Sequence, residues 1–458
     1  MKLDRWRVPL PTPTIAILLA AGDSTRMGSK TPKVLHPIAG QPMIEYALGN
    51  AESLLPERIF VVVGDAKSPV AAAVEKRAVP VIQKDRKGTA HAVAQVLPKL
   101  KGFKGNILVH YADACLVRPQ TVQALRQFHL LQRSSATLLT ARVEDPFGYG
   151  RIVRGTDGEV ERIVEEKDAT QFEKHLNEIN GGVYFFSAPA LAEALAGIGS
   201  PKGPKELYLP DAIPLILSKG GKVHALMVPD RSEVLGINNR QQLAQAHRLW
   251  NLRRVEHHQR EGVTFLDPGS VEIGPKVAIG RDSLIEGNVQ LLGATEIGED
   301  CKIEAGSVIH GSRLGDGVVV RHSRVTDSDL GDGCDAGPFA HVRGGSVLDK
   351  YVHVGTNAEI KNSKLGAGTK CGHFSYVGDA QLGKNVNVGA GCVFANFDGK
   401  KKHGSSVGDG AFLGSNSTLV APVKVGAKAV IGAGAVVTRD VRAGTTVVGV
   451  PARPKGRK

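Results

Sequence analysis

The stretch "IGPKVAIGRDSLIEGNVQLLGATEIGEDCKIEAGSVI", residues 273–309, places an aliphatic residue at every sixth position. The positions are Ile273, Ile279, Ile285, Leu291, Ile297, Ile303 and Ile309. A six-residue repeat of this kind is typical of a parallel β-helix, in which three short faces make one triangular coil. The aliphatic residues then point into a prism while glycine and polar residues turn its corners. The second half of the chain is therefore predicted to be a parallel β-helix.

The same spacing returns further along the chain, after some drift. It is found at Val354, Ile360, Cys371, Val377, Leu382, Val388, Phe394, Val407, Leu413, Leu419, Val425, Ile431 and Val437. About twenty hexads in all predict roughly six or seven coils. Phe394 and Val407 are thirteen residues apart, so the intervening "NFDGKKKHGSS" is predicted to leave the prism as a loop. Such a loop either carries binding residues or is a tolerated insertion.

The first half of the chain, residues 15 to about 240, alternates β-rich runs with helical stretches. The predicted strands are 15–21, 58–63, 79–83, 106–111, 134–142, 182–186 and 222–228. The predicted helices are 42–53, 67–77, 89–99, 119–131 and 188–197. This alternation favours an α/β domain with a mainly parallel sheet. Residues 239–260 predict one long polar helix that connects the two halves.

Composition excludes several classes of protein. With 458 residues the chain is long enough for two or three domains. Its apolar runs have the length of strands, so no membrane partner is expected, and no secretory leader is visible. The five cysteines form no CxxC pair and are interpreted as reduced cytosolic thiols. The net charge of +13 favours polyanions, but only 5% of the residues are aromatic and none are interleaved with a basic patch, so nucleotides and coenzyme A are favoured over nucleic acid.

The motif "ILLAAGDSTRMGSKTPKVL", residues 17–35, indicates a strand followed by a turn and a cationic loop that contains Arg26 and Lys33. Backbone N–H groups at such a turn can hold a triphosphate. Two later motifs strengthen this interpretation. "ILVHYAD" ends a predicted strand at Asp113, and "GINNR" offers Asn238, and these oxygen ligands suit Mg²⁺. The alternative is that Asp113 is an ordinary surface or capping residue.

A second candidate site lies in the predicted prism. The segment "KCGHFSYVGDAQLGKNVNVGAG" brings His373 and Tyr376 into one coil. A histidine can take a proton from an attacking amine at neutral pH. Arg343 in "HVRGG" and Lys361 in "EIKNS" are cations on earlier coils that could hold a sugar phosphate. A purely structural role for His373 is the alternative.

Taken in order, the motifs point to a family. "LAAG", "STRM", "PKVL", "KGTAHA", "YAD", "DPFGYGRI", "IVEEKDA", "EINGGVY" and "GINNR" occur as in sugar-1-phosphate nucleotidylyltransferases. With the hexapeptide half attached, residues 15–450 resemble the bacterial bifunctional UDP-N-acetylglucosamine diphosphorylase/glucosamine-1-phosphate N-acetyltransferases. The resemblance implies an α/β nucleotidyltransferase domain with a Rossmann-like mixed sheet, followed by a left-handed parallel β-helix of hexapeptide repeats.

The resemblance also implies a domain plan and a biological setting. A disordered extension at 1–14 precedes a nucleotidylyltransferase domain at 15–238, a linker helix at 239–262, an acetyltransferase β-helix at 263–450 and a basic tail at 451–458. The enzyme is expected to be a cytoplasmic homotrimer that acetylates glucosamine-1-phosphate with acetyl-CoA. It then transfers uridylyl from UTP to N-acetylglucosamine-1-phosphate, with Mg²⁺, and releases pyrophosphate. The product, UDP-N-acetylglucosamine, serves peptidoglycan and cell-wall synthesis.

For the first domain the resemblance implies a complete set of site residues. The backbone of Leu19, Ala20, Ala21 and Gly22 would hold uridine and phosphate, and Gln83, Gly88 and Thr89 would read the uracil. Arg26 and Lys33 would neutralise the triphosphate while Tyr111 and Ala112 line the site. Asp113 and Asn238 would bind Mg²⁺. Gly150, Glu165 and Asn180 would hold the N-acetylglucosamine.

For the second domain the resemblance makes His373 the base that deprotonates the acceptor amine. Arg343, Lys361, Tyr376 and Asn387 would bind the sugar phosphate. Ala390, Ser415 and Ala433 would line the coenzyme A channel. Asn396 and its neighbour Phe397 belong to the loop that supports the acceptor sugar. Each site in the trimer would be built from more than one subunit.

The sequence departs from the family pattern at several positions. Glycine is usual where Ser24 and Ala112 stand, and proline where Cys115 and Gly344 stand. Phe397 replaces a tyrosine and loses a hydroxyl. Gly449 stands where an arginine lies near coenzyme A, and Arg453 in "GVPAR" is a candidate replacement for that cation. Because Phe397, Gly344 and Gly449 all lie in the acetyltransferase half, these departures leave open which acceptor that half acetylates.

Two other readings of the sequence remain open. In one, the β-helix of a sugar-1-phosphate nucleotidylyltransferase acylates a different acceptor or serves only as a trimerisation scaffold. In the other, the chain is a binding module like the regulatory subunits of the eukaryotic translation initiation exchange factor, which share this two-domain plan. Retention of Arg26, Lys33, Asp113, Asn238 and His373 argues against a pure scaffold.

Overall fold

The computed structural model describes residues 12–22, 25–198 and 206–455. Most of the expected 1–14 extension, Ser24 and residues 456–458 lie outside these ranges. The chain divides into two compact units, the first ending at Leu249 and the second beginning at Trp250.

The first unit alternates strands with helices. Its strands are β1 (Thr14–Leu19), β2 (Pro37–Ile38), β3 (Gln41–Pro42), β4 (Arg58–Val63), β5 (Val79–Ile82), β6 (Asn106–Tyr111), β7 (Ala136–Arg142), β8 (Arg151–Arg154), β9 (Val160–Val164), β10 (Glu178–Ser187) and β11 (Val223–Met227). The α-helices are α1 (Met43–Glu52), α2 (Pro69–Val74), α3 (Thr89–Ala94), α4 (Pro119–Gln132), α5 (Gln171–Lys174), α6 (Ala188–Gly197), α7 (Ala212–Ser218) and α8 (Arg240–Arg260), the last of which continues into the second unit. Short 3₁₀ turns lie at Thr25–Met27, Lys33–Leu35, Leu97–Leu100, Leu209–Asp211 and Arg231–Val234. No helix in the described ranges is long and apolar enough to cross a bilayer.

The main sheet of this unit is mixed and buried on both faces. Its strand order is β11-β7-β10-β6-β1-β4-β5, and β10 runs antiparallel to both of its neighbours while the other pairs on this path are parallel. Ile17 and Val109 face one core cluster, and Leu18 and Leu108 face the other. Strands covered on both sides in this way read as continuous apolar runs, which is why the sequence showed them clearly. The Rossmann-like mixed sheet is confirmed.

The hairpin formed by β8 and β9 is not predicted by the sequence pattern. Its residues are largely polar and half exposed, and the two strands are joined at the turn around Gly158, so they lack the apolar run of a buried strand. The hairpin matters because Gly150 immediately precedes β8 and Glu165 immediately follows β9.

The second unit is a parallel β-helix with three faces. Face 1 contains β12 (Thr264–Phe265), β15 (Leu284–Ile285), β18 (Lys302–Ile303), β21 (Val319–Val320), β24 (Asp335–Ala336), β27 (His353–Val354), β30 (Lys370–Cys371), β33 (Asn387–Val388), β36 (Phe412–Leu413), β39 (Val430–Ile431), β41 (Thr446–Val448) and β42 (Arg453–Pro454). Face 2 contains β13 (Glu272–Ile273), β16 (Gln290–Leu292), β19 (Val308–His310), β22 (Arg324–Thr326), β25 (His341–Arg343), β28 (Glu359–Lys361), β31 (Tyr376–Gly378), β34 (Val393–Ala395), β37 (Thr418–Val420) and β40 (Val436–Val437). Face 3 contains β14 (Ala278–Ile279), β17 (Glu296–Ile297), β20 (Arg313–Leu314), β23 (Asp329–Leu330), β26 (Val347–Leu348), β29 (Lys364–Leu365), β32 (Ala380–Leu382), β35 (Ser405–Val407) and β38 (Lys424–Val425).

The hexad positions form the core of this prism, as the repeat predicted. Ile273, Leu291, Ile303 and Ile309 are fully buried, and the later members of the series are buried with them. The predicted number of coils was wrong, because face 2 alone has ten strands in the described residues. The extra coils contain five-residue steps, such as Ile309 to Leu314, that break the strict six-residue period without changing the inward position. The left-handed β-helix is otherwise confirmed.

Both ends of the prism are covered. The second half of α8 lies over the first coil, where the Asn251 side-chain oxygen accepts a hydrogen bond from the backbone nitrogen of Ile273 at 2.8 Å. At the other end β42 pairs antiparallel with β41. These contacts protect sheet edges that would otherwise expose unpaired backbone groups. Residues 451–455, expected within a free tail, therefore belong partly to the sheet.

Candidate functional site

The predicted nucleotide residues lie at the carboxyl ends of parallel strands. Leu19–Gly22 end and follow β1, Gln83 follows β5, and Asp113 follows β6. They line a cavity of about 340 Å³, the first cavity. Its predicted members are Leu19, Ala20, Ala21, Gly22, Lys33, Gln83, Gly88, Thr89, Tyr111 and Asp113. Ligands of open α/β sheets bind at this edge, because the turns there present backbone N–H groups.

A second cavity of about 280 Å³ adjoins the first. Its predicted members are Arg26, Thr89, Tyr111, Asp113, Gly150, Glu165, Asn180 and Asn238. Thr89, Tyr111 and Asp113 line both cavities. The predicted nucleotide residues and the predicted sugar residues therefore share a boundary at Asp113.

Four polar groups converge at that boundary. The Lys33 ammonium lies 2.5 Å from the Asp113 Oδ2 atom and 3.1 Å from the Asn238 Oδ1 atom. Arg26 donates to the same Asn238 oxygen at 3.2 Å. The side-chain oxygens of Asp113 and Asn238, which are far apart in sequence, thus both lie against the Lys33 ammonium. Such a pair can bind a metal ion that takes its remaining ligands from phosphate and water.

Two of the three predicted uracil readers are hydrogen-bonded to each other. Gln83 is buried and its side-chain nitrogen donates to the Gly88 carbonyl oxygen at 3.0 Å. Gly88 has φ of 107°, and a Cβ atom there would lie 2.3 Å from the Leu207 carbonyl oxygen. Only glycine fits this position. Thr89 begins α3 and accepts a hydrogen bond from the backbone nitrogen of Leu209 at 2.8 Å.

The predicted sugar residues also meet. The Asn180 backbone nitrogen donates to the Gly150 carbonyl oxygen at 2.9 Å, and a Cβ atom at Gly150 would lie 3.4 Å from a Glu165 carboxylate oxygen. Burial raises the pKa of Glu165, and the nearby Asp168 carboxylate adds to the shift. The Asn180 amide donates to the Tyr184 hydroxyl at 2.6 Å, which orients its carbonyl oxygen toward the backbone of Gly182.

Ala112 is the member of the first set that the structure does not bring to a cavity surface. It is fully buried in the core cluster beside Leu108 and Val183. Its backbone nitrogen donates to the Leu19 carbonyl oxygen at 3.1 Å. Ala112, predicted to line the site, is therefore not among the residues that line either cavity.

Two residues that line the site are not marked by any motif of the sequence. Glu206 lines the first cavity and Tyr208 lines both. The Tyr208 hydroxyl donates to the Glu206 carboxylate at 2.7 Å, and Lys167 donates to that carboxylate at 2.9 Å. No motif marks these positions, which lie just before the Leu209–Asp211 turn, where the Tyr208 backbone nitrogen donates to the Asp211 carboxylate at 3.4 Å.

In the β-helix, four predicted residues occupy equivalent positions on successive coils. The backbone nitrogen that follows each member donates to the carbonyl oxygen of the member one coil earlier, at 2.8 to 2.9 Å. The series, here called the corner column, is His373, Ala390, Ser415 and Ala433. It lies at the corner between face 1 and face 2. His373 is exposed, and the residues above it are small, so the column leaves an open edge along the prism.

The predicted phosphate-binding cations lie together on face 2. Arg343 pairs in register with Lys361, and Lys361 with Gly378. Arg343 donates to the Glu359 carboxylate at 2.8 Å. The neighbouring Lys402 lowers the pKa of Lys361, with smaller contributions from burial and from Arg343. Adjacent cations that disfavour each other's charge form a site in which an anion is stabilising.

Tyr376 and Asn396 meet on the same face. The Asn396 amide donates to the Asp379 carboxylate at 2.5 Å and to the Tyr376 hydroxyl at 3.3 Å. Asp379, which also accepts from Asn362 at 2.6 Å, was not identified from the sequence. Asn387 lies instead on face 1, between Lys370 and Phe412, so within one chain it does not share the surface of Arg343 and Lys361.

The loop expected after Phe394 is present between β34 and β35. Asp398 closes it by accepting hydrogen bonds from the backbone nitrogens of Lys400 and Lys401 at 2.7 and 2.8 Å. His403 adds a contact to that carboxylate at 2.6 Å. These bonds lower the pKa of Asp398 to about 2. Phe397 remains 61% exposed, so the ring that replaces a tyrosine is available at the surface of the loop.

The structure also places the other residues at which the sequence departs from the family pattern. Gly344 has φ of 69°, which proline cannot adopt, so this turn requires the glycine that the chain has. Cys115 is buried. Gly449 directly follows β41, whose Val448 lies against Gly432 next to the last member of the corner column. Arg453 on β42 pairs with Val448 on β41.

The comparisons with known proteins agree with this geometry. Residues 16–200 match the MobA-like NTP transferase domain, residues 270–311 the bacterial transferase hexapeptide repeats, and residues 405–439 the hexapeptide repeat of succinyl-transferase. The chain is 43% identical over 434 residues to the bifunctional protein GlmU of Streptococcus equi subsp. zooepidemicus, covering 95% of this chain and 94% of that protein. It is 43% identical to the GlmU of Listeria welshimeri and 42% identical to that of a Geobacillus species, each over 426 residues and 93% of both chains.

The chain belongs to the GlmU family. As a GlmU protein it is a bifunctional enzyme of UDP-N-acetylglucosamine synthesis, with an acetyltransferase and a uridylyltransferase activity. The two cavities lie in the nucleotidyltransferase half of this GlmU chain, and the corner column lies in its hexapeptide acetyltransferase half.

Proposed function

We propose that the first cavity binds UTP and the second binds N-acetylglucosamine-1-phosphate. The observation that carries this proposal is the convergence of Lys33, Asp113 and Asn238 where the two cavities meet. The reacting phosphates of the two substrates have to meet at the same place. Gln83, Gly88 and Thr89 would then face the uracil, and Gly150, Glu165 and Asn180 the acetylated sugar.

Asp113 and Asn238 are assigned to Mg²⁺. The fit rests on the donor set: a carboxylate and an amide oxygen lie within 2.5 and 3.1 Å of one cationic nitrogen. With two protein oxygens, the ion would take its remaining ligands from phosphate and water. Bound there, the ion would neutralise charge on the nucleotide phosphates.

The transfer itself requires positioning and charge stabilisation. A phosphate oxygen of the sugar phosphate attacks the α-phosphorus of UTP in line, and the bond from that phosphorus to the pyrophosphate oxygen breaks. Arg26 and Lys33 would stabilise the charge of the departing pyrophosphate. Lys33 is held near the reaction centre by Asp113 in the free protein, so it can exchange that contact for phosphate oxygens. No protein nucleophile is required.

We assign His373 as the base of acetyl transfer. It would take a proton from the amine of glucosamine-1-phosphate as the amine attacks the thioester carbonyl carbon of acetyl-CoA. The carbon–sulfur bond then breaks and coenzyme A leaves as its thiol. The open edge above His373 supports a coenzyme A position along Ala390, Ser415 and Ala433.

The cations on face 2 are assigned to the acceptor phosphate. Arg343 and Lys361 are adjacent in register, and Tyr376 on the same face accepts a hydrogen bond from Asn396 at 3.3 Å. Phe397, which follows Asn396 in the loop, has an exposed ring. Asn387 lies on face 1, so its proposed role in sugar binding would be exerted on a neighbouring subunit. We therefore propose a homotrimer, which a mass measurement in solution tests. Cys301, Cys334, Cys371 and Cys392 are buried thiols that form no disulfide, and on that basis we place the enzyme in the cytoplasm.

Two substitutions test the assignment of the two sites. The full-length protein is incubated with glucosamine-1-phosphate, acetyl-CoA, UTP and Mg²⁺, and thiol release is followed separately from pyrophosphate release. Asp113→Asn is expected to abolish pyrophosphate release from N-acetylglucosamine-1-phosphate and to leave thiol release unchanged. His373→Asn is expected to do the reverse.

Matched controls exclude general damage. Asp65→Asn removes an exposed carboxylate of the same unit, and His322→Asn replaces a histidine at a corner of an earlier coil. Both controls are expected to retain both activities. Loss of thiol release in Asp113→Asn, or of pyrophosphate release in His373→Asn, would contradict two independent sites.

A further inference from the structure

Two buried polar side chains lie beneath the turn that presents Asp113. Asn50 in α1 is 2% exposed and His110 in β6 is fully buried. The Asn50 side-chain nitrogen lies 3.1 Å from His110 Nε2 and 2.9 Å from the Val117 carbonyl oxygen. His110 Nδ1 lies 2.8 Å from the Tyr111 carbonyl oxygen. Neither side chain is among those lining the two cavities.

The bond directions in this group are determined by its chemistry. A carbonyl oxygen only accepts, so the Asn50 atom facing Val117 is the amide nitrogen and donates to both partners. His110 Nε2 must then be the acceptor, and Nδ1 carries the proton that it donates to Tyr111. The ring is held as one neutral tautomer, and every hydrogen-bonding atom of the ring has a partner.

The consequence for the turn is that both of its ends are held. Tyr111 O also accepts from the backbone nitrogen of Ala114 at 3.0 Å, which closes the turn over Asp113. Val117 O, at the other end, is held by Asn50. The carbonyls of Tyr111 and Val117, one on each side of Asp113 in the chain, are therefore both bonded to buried side chains, and the Asp113 carboxylate lies against Lys33.

We propose that Asn50 and His110 are positioning residues for Asp113, acting through the Val117 and Tyr111 carbonyls to hold the carboxylate where the metal ion binds. The proposal rests on the assignment of Asp113 to Mg²⁺ given under Proposed function. Neither residue touches substrate. Groups that orient a ligand from behind in this way change metal affinity when they are removed, roughly 10–100-fold.

The test uses the full-length protein and Mn²⁺ as a spectroscopic probe. The dissociation constant of Mn²⁺ without nucleotide is measured by electron paramagnetic resonance, alongside the Mg²⁺ dependence of pyrophosphate release and the thermal midpoint. The variants are His110→Phe, Asn50→Leu and the double variant, in which apolar groups of similar shape replace both partners and leave folding least disturbed. The dissociation constant is expected to rise roughly 10–100-fold in each.

Two further variants separate positioning from folding. His110→Gln offers an acceptor and a donor again and is expected to recover part of the affinity. His129→Phe removes another buried histidine of this unit, bonded to Thr137 at 2.9 Å, and is expected to leave Mn²⁺ binding unchanged. Thiol release by the acetyltransferase half reports the amount of active chain in every sample.

The outcomes are distinct. A folded double variant that binds Mn²⁺ as the wild type does would overturn the positioning role, whatever its thermal midpoint. If single variants lose affinity only in proportion to a lower thermal midpoint, and His110→Gln recovers neither, the group is structural alone and the proposal is wrong. A wild-type dissociation constant that Asp113→Asn does not change would instead contradict the metal assignment itself, and this proposal with it.

Discussion

Lys33 stands where two oxygen ligands meet in the free protein. Its ammonium is 2.5 Å from Asp113 and 3.1 Å from Asn238, and its side chain is only 15% exposed. At this depth a cation compensates a carboxylate that would otherwise be costly to desolvate. If Asp113 binds Mg²⁺ as proposed, the lysine and the metal ion compete for the same carboxylate until phosphate groups arrive.

Replacing this lysine is expected to move two quantities in opposite directions. In Lys33→Met, Mn²⁺ should bind more tightly without nucleotide, because its competitor for Asp113 is gone. Pyrophosphate release should nevertheless fall by about 100-fold or more, since a charge that stabilises the transition state is lost. Electron paramagnetic resonance and a pyrophosphate assay measure the two effects. Lys67→Met, at an exposed lysine of the same unit, serves as control. Weaker Mn²⁺ binding in Lys33→Met would contradict the competition.

His129 makes stability depend on pH. Burial, with a smaller effect of His224, lowers the pKa of His129 to about 4, whereas the unfolded chain takes up this proton near pH 6.5. As the pH falls, the unfolded state therefore takes up the proton before the folded state does. The contribution of the neutral His129 to the free energy of unfolding is complete above pH 6.5 and is lost as the pH falls toward 4. The shift corresponds to about 3 kcal/mol as an upper value.

His129→Phe is accordingly expected to flatten the pH dependence of the first unit. Urea midpoints at pH 7.5 and pH 4.5, followed through loss of uridylyl transfer on return to assay conditions, measure this. The variant should lose less stability than the wild type between those pH values. An unchanged slope would show that the histidine does not titrate as its burial requires.

At the scale of elements, the loop between β34 and β35 depends on one carboxylate. Asp398 accepts from Lys400, Lys401 and His403 and so keeps the loop closed beside Asn396. Asp398→Ala removes these three bonds without changing the prism. We expect the KM for glucosamine-1-phosphate to rise about 10-fold, with uridylyl transfer unchanged. Asp409→Ala alters a corner carboxylate outside this loop and is the control. A KM equal to that of the wild type would mean that the loop does not support the acceptor.

The end of the corner column offers a second test at this scale. Arg453 lies opposite Val448 on the strand that closes face 1, just beyond Gly449. If it supplies a cation to coenzyme A, Arg453→Gln should raise the KM for acetyl-CoA several-fold and leave kcat nearly unchanged, because it acts in binding alone. Arg439→Gln, which removes a different basic residue near the same end of the β-helix, serves as the control. A fall in kcat without a change in KM would assign Arg453 to something other than binding.

At the scale of the whole molecule, the two units have separate cores. The β-helix is built around one continuous series of inward aliphatics, and the first unit around two clusters on either side of its sheet. Ile303→Ala should destabilise the β-helix by roughly 2–5 kcal/mol, since it leaves a cavity at a fully buried position. Thermal inactivation of acetyl transfer should then occur at a lower temperature while that of uridylyl transfer is unchanged. A parallel fall in both would show that the cores do not act independently.

The residue types and their periods were enough to identify both folds. The aliphatic residues from Ile273 to Ile309 recur every six residues, the period at which a triangular coil buries them all on its inner side. The sequence runs that form β1, β4 and β6 are apolar because both faces of these strands are covered. Shorter-range information was weaker. The β8–β9 hairpin escaped notice because its strands are half exposed, and the coil count was too low because five-residue steps interrupt the period without moving the inward position.

The motifs also identified most of the candidate site residues, since a strand followed by a polar turn marks the ligand-binding edge of an α/β sheet. Only the tertiary structure decided which of them meet. Asp113 and Asn238 are 125 residues apart in sequence, yet both lie against Lys33. Ala112, next to Asp113, is buried in the core. Asn387 lies on a different face of the β-helix from Arg343. Asn50 lies in no motif, and His110 lies within "ILVHYAD" but nothing in that motif marks its side chain as a functional group. Sequence periodicity reports burial, which is a property of each element, whereas the distance between two side chains depends on how the elements pack.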